Sequence, residues 1–144
     1  MCKKCAALTE DPDMKLVAAY FATLAVFVVV DFIWLGFVAR DFYRSSIGHL
    51  MSDNFNIPAA IVFYLIYPIG VVLFAVSPGL DAGNLAKAAI LGLAFGFFAY
   101  ATYDLTNLAT LRDWPIGITI ADIAWGSILT ATAATAGFAI ASRV

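Results

Sequence analysis

Four long apolar stretches, separated by short polar breaks, dominate the pattern of this chain. They run over about residues 16–38, 57–76, 85–111 and 116–141. A helix rises ~1.5 Å per residue, so each stretch is long enough to cross a hydrocarbon core of ~30 Å. Inside lipid the backbone must satisfy its own polar groups, so a β-branched run such as residues 28–30 also reads as helix. The pattern predicts an all-α fold, a four-helix transmembrane bundle over residues 14–144.

The breaks have recognisable chemistry. Residues 77–84 hold Ser, Pro, Gly, Asp and Asn and read as a loop, and residues 112–115 make a very short turn. In that turn Asp113 is placed to cap the fourth helix and Pro115 to open its first turn. The long break at 40–56 brings Tyr43, Ile47, Leu50 and Met51 to one helical face while Arg40, Arg44 and Ser45 face elsewhere. An interfacial amphipathic helix over about 41–52 is expected, with an irregular loop as the alternative.

Composition agrees: 63% of residues are hydrophobic and 12% charged, too few to coat a soluble domain, which carries about 25%. A net charge of −2 with eight Lys and Arg makes no basic patch, which argues against nucleic acid as a partner. Membrane lipids are the expected surroundings. Cys2 and Cys5 form a lone CxxC with no second ligand pair, a weak metal or redox signal. Residues 1–13, which include the linker-like segment 9–13, read as a disordered extension. The run from Leu16 is longer than the core of a cleavable signal and follows an acidic segment, so it reads as a retained span. An even number of spans puts both termini on one side, with Lys3, Lys4, Lys15, Lys87 and Arg143. Arg40, Arg44 and Arg112 lie on the other. This balance favours cytoplasmic termini.

Three acids, Asp31, Asp104 and Asp122, sit inside the spans. A carboxylate at mid-bilayer costs about 2.5–3.5 kcal/mol on insertion scales, so three in one small chain need an explanation. Asp31 lies nine residues before Arg40, Asp104 eight before Arg112, and Asp122 seven after Pro115. Given alternating span directions, all three fall roughly 10–14 Å below one membrane face. Tyr64 and Tyr67 of the second span reach the same layer, as do Tyr100, Tyr103 and Asn107 of the third. Trp34 and Trp125 each follow an Asp by three residues and share its helical face. Gly92 and Gly96 extend the stripe of Tyr100 and Asp104. Gly126 and Gly137, with Thr130 and Ala133, form a matching small stripe on the fourth span. Small-residue stripes let helices approach, so the acids should point into the bundle. His49 reads as an interfacial residue, and Trp114 as an interfacial anchor beside Arg112 and Asp113.

Three segments together resemble a known family: Asp31 to Gly36 with Trp34; Tyr103, Asp104 and Asn107 with the following Arg112 and Trp114; and Asp122, Trp125 and Gly126. They resemble the bacterial membrane family named domain of unknown function 2177, over nearly the whole chain apart from residues 1–13. The resemblance implies a compact four-helix protein of the bacterial inner membrane. It carries no activity, substrate or cofactor with it.

Three functions compete. In the first, the layer of acids, tyrosines and Asn107 binds or conducts a proton, a cation or a cationic small molecule, because oxygen ligands suit hard cations. So small a chain would be expected to act as a homodimer. In the second, the acids are structural and the small-residue stripes dock the chain into a larger membrane complex. The third is an enzyme acting on a membrane lipid, with carboxyl groups as acid and base. No activated nucleophile, metal-ligand set or phosphate loop supports it. The first reading is preferred, since hydrogen bonds between membrane helices average only ~0.6 kcal/mol and poorly offset the burial of three carboxyls.

Overall fold

The structure, a computed structural model, describes residues 12–144. Cys2 and Cys5 lie outside the described residues. Among the described residues five of the six α-helices build four membrane-length rods, 13–38, 57–81, 85–110 and 116–141. The first rod is α1 (Pro12–Ile33), which widens into a π turn at Trp34–Val38. A short helix α2 (Arg40–Ile47) and a tight 3-10 turn (Gly48–Leu50) follow outside the spans. The second rod joins α3 (Ile57–Val71), a π turn (Val72–Val76) and α4 (Ser77–Asp81). The third and fourth rods are single helices, α5 (Leu85–Thr110) and α6 (Ile116–Ala141).

Helix ends depart from the hydropathy pattern because caps, and not apolar onset, determine them. Among the described residues α1 runs from Pro12, and Asp13 lies in its first turn. Proline suits a first turn, and an acid there complements the helix dipole. Helix α2 occupies 40–47, shorter than the expected 41–52, before the chain tightens into the 3-10 turn. Asn56 caps α3 through Ala59 N–H and Asn84 caps α5 through Lys87 N–H, each at 3.1 Å.

The expected loop at 77–84 is mostly helix, since Pro78 sits in the first turn of α4. Only residues 82–84 turn. There Gly83 adopts φ 57°, Gly83 N–H bonds the Leu80 carbonyl at 2.9 Å, and Asn84 N–H bonds the Gly79 carbonyl at 2.9 Å. These two bonds close the helix in a Schellman motif, which the left-handed glycine permits. Asp113 does not cap α6. It takes φ 58° in the turn, and Pro115 occupies the cap position without a side-chain bond.

Helix α6 is the central rod: 44% of its apolar window is buried, against 22% for the first and third rods. Helix α5 packs along it antiparallel, with Gly92 beside Ala134, Gly96 beside Thr130 and Gly126 beside the Tyr100 ring. Helix α1 packs on another side of α6, where Gly137 meets Thr23 and the Ala19 carbonyl. The small stripe of α6 therefore divides. Gly126 and Thr130 serve α5, while Gly137 serves α1 and does not mirror Gly92 and Gly96. A Cβ on Gly92 would lie 2.7 Å from that of Ala134, so backbones approach closely along this seam.

The core has two characters. Toward the chain ends it is apolar and small, with Ala19, Val72, Ala75, Val76, Ala88 and Ala134. Toward the opposite face Phe27, Leu129 and Ala133 meet Tyr64, Tyr67 and Trp125. Phe98, Ile90 and Ile120 stand outward, as lipid contact requires, whereas Phe95 turns inward against Tyr67 and Phe74.

Candidate functional site

The aromatic half of the core holds the acids. Asp31, near the end of α1, is 5% exposed and accepts two hydrogen bonds from different rods. The Tyr64 hydroxyl of α3 donates to its Oδ2 at 2.7 Å, and the Trp125 indole N–H of α6 donates to its Oδ1 at 3.2 Å. Trp125 also stacks on Trp34, with ring centroids 4.1 Å apart and 9° between planes. The repeated Asp-to-Trp spacing thus becomes one physical object. Asp31 from the first copy takes the indole of the second, while the two indoles lie face to face. The Trp34 N–H itself is buried without a partner among the described residues.

Asp104 differs. It is 0% exposed, and neither carboxyl oxygen has a hydrogen-bond partner among the described residues. Its level follows from the α5–α6 register. The neighbours 92 and 134, 96 and 130, 100 and 126 advance by one turn in opposite directions. One further turn brings positions 104 and 122 to the same height.

Asp122 is half-buried and accepts a hydrogen bond from the Tyr43 hydroxyl of α2. Sequence reasoning placed Tyr43 on the apolar side of an interfacial helix and missed it as a partner of an acid. A tyrosine on such a face buries its ring and carries a hydroxyl that needs a partner, which was the available signal. Thr130, a member of the small stripe on the fourth span, also hydrogen-bonds the Tyr67 hydroxyl at 2.9 Å and donates to the Gly126 carbonyl at 2.6 Å.

Tyr67 and Tyr100 extend the cluster, their rings edge to face at 6.3 Å. Tyr103 does not join them inside. It is 58% exposed and sets its ring edge-on to Trp114, because it lies off the stripe that carries Tyr100 and Asp104 inward. Asn107 is half-buried. Trp114 is no exposed anchor. It is 9% exposed, and its N–H donates to Thr119 at 3.1 Å. His49 is exposed on the 3-10 turn.

Two openings border this half of the bundle. Helix α5 packs on the second rod mainly through the π turn Val72–Val76, and beyond that turn the two rods part. The gap is an apolar cleft of about 400 Å³ lined by Phe63, Tyr67, Ala99, Tyr100 and Tyr103. A larger cleft of about 680 Å³ lies under α2 and includes Tyr43.

The acids share a level but not a common cavity. No group of three or more His, Cys, Asp or Glu among the described residues is placed to hold a metal ion. The arrangement offers one carboxylate satisfied by neutral donors, one reached from the interface, and one sealed without partners.

No curated protein and no solved structure is detectably similar to the chain. Residues 16–139 match the family described as a predicted membrane protein, domain of unknown function 2177, and the chain belongs to that family.

Proposed function

We propose that the chain is a small bacterial inner-membrane protein whose carboxylate–aromatic layer binds a proton or a small cation and passes it between environments. Asp104 is the single observation that carries this reading. A carboxyl that merely tied helices together would need donors to tie to, as Asp31 has in Tyr64 and Trp125. Asp104 has none among the described residues. Left ionised and bare in so apolar a place it would be strongly disfavoured, so it carries a proton or meets a cation.

Asp31, Tyr64, Tyr67 and Tyr100 supply oxygen atoms and ring faces near the same level, which suit a hard cation or a cationic small molecule. The cleft beside Tyr67 and Tyr100 offers a lateral way in. In this reading the termini are cytoplasmic, and two copies associate, since four rods are few for an alternating pathway.

The test is flux through reconstituted vesicles. Wild-type protein should carry protons or monovalent cations above the leak of empty vesicles, and Asp104→Asn should reduce that flux at least tenfold while leaving the fold intact by circular dichroism. Wild-type vesicles no leakier than empty ones would remove the reading.

A further inference from the structure

The cleft under α2 has a chemistry of its own, and the inference from it does not depend on the carboxylate layer. Helix α2 follows directly on the first membrane-length rod, which ends at Val38. Arg40 and Arg44, one turn apart on this helix, both line the cleft of about 680 Å³. No ion pair joins either guanidinium to a carboxylate among the described residues. The remaining walls are amphiphilic: Leu35 and Phe55 are apolar and exposed, Ser52 offers a hydroxyl, and Asp53 is the one carboxylate in the lining.

Two guanidiniums with free forks beside exposed hydrocarbon match one kind of occupant. Arginine presents planar donors suited to phosphate oxygens, and the apolar walls suit the first carbons of acyl chains. Their position at the membrane boundary puts that chemistry in reach of lipid. The geometry points to a binding site for the phosphate of an anionic glycerophospholipid, held by Arg40 and Arg44 with its acyl chains against Leu35 and Phe55. Asp53 opposes the phosphate and tunes its affinity. Tyr43 lines the same cleft and bonds Asp122, so an occupied site would lie one side chain from the layer beneath.

The experiment uses the full chain in phosphatidylcholine nanodiscs, with binding of short-chain phosphatidylglycerol followed by native mass spectrometry. Two arginines near a membrane surface should favour phosphatidylglycerol over phosphatidylcholine by roughly 30-fold. Arg40→Gln with Arg44→Gln should abolish the preference, and Arg112→Gln, on the same face but outside the cleft, should keep it. Asp53→Asn should strengthen it, and as an exposed substitution it tests the site even if the double variant folds poorly. Inorganic phosphate competing as well as the lipid would overturn the lipid assignment. So would a preference that survives in the double variant, or one that Asp53→Asn leaves unchanged.

Discussion

Asp31 and Asp104 are both buried carboxyl groups on membrane rods, and their surroundings make opposite demands on stability. Asp31 satisfies a tyrosine hydroxyl and an indole N–H, so removing it strands two half-buried donors. Asp104 satisfies nothing among the described residues, so replacing it with an apolar side chain removes a burden. Leaving a buried polar group without a partner costs about 1–3 kcal/mol. Asp31→Leu should therefore lower the free energy of unfolding by about 1–3 kcal/mol, and Asp104→Leu should raise it by a similar amount. Unfolding in mixed detergent micelles, followed by tryptophan fluorescence, measures both. Equal destabilisation by the two substitutions would mean that Asp104 has a structural partner and would return it to the role of glue.

At the scale of elements, the seam between α5 and α6 decides how the site is held. Gly96 and Gly126 let the two backbones meet, and the face of Gly126 is filled by the Tyr100 ring. A methyl group at position 126 would occupy the space of that ring, which must swing away or force the helices apart. Gly126→Ala should cost about 1–3 kcal/mol as an overpacking substitution. Gly117→Ala, on the same helix with no atom within 4 Å of the added carbon, should change stability by less than about 0.5 kcal/mol. The same micelle titration compares the two, and equal effects would show that the seam has room for a methyl group.

The second rod shows a different device. Pro68 lies inside α3 and removes the donor that would bond the Tyr64 carbonyl, and the π turn at Val72–Val76 follows directly. The π turn packs within the small-residue core near the chain ends, and Pro68 stands between it and the aromatic-lined end. They let one rod pack tightly at one end and stand off at the other.

For the whole molecule, chemical labelling reads the topology directly. The two native cysteines, Cys2 and Cys5, precede the first rod, and no other cysteine is present. With termini in the cytoplasm, a membrane-impermeant maleimide should leave them unmodified in intact spheroplasts and label them in inverted vesicles. A cysteine introduced by Ser52→Cys, beyond the first rod, should show the reverse pattern. Labelling of the native pair from outside would invert the orientation and place the Arg40 and Arg44 cleft on the cytoplasmic leaflet. The arginine pair and its apolar walls are the same on either leaflet, so that inference survives either result.

Much of this was legible in the chain because the bilayer leaves a polypeptide few choices. Apolar runs of that length must be helices, and the distance of each acid from a span end places it at a common depth by counting alone. The four rods, the shared level of Asp31, Asp104 and Asp122, and the close seam at Gly92 and Gly96 all follow from one-dimensional spacing. Partnership does not. Spacing gives Asp31 and Asp122 each a tryptophan three residues on, Trp34 and Trp125, yet folding hands Trp125 to Asp31, gives Tyr43 to Asp122, and leaves Asp104 without a hydrogen-bond partner among the described residues. Such assignments depend on which sides of α6 receive α1 and α5, and on where α2 folds back over the bundle. Depth is a property of a single rod in a layered solvent, and hydrogen-bond partners are a property of how the rods are rotated against each other.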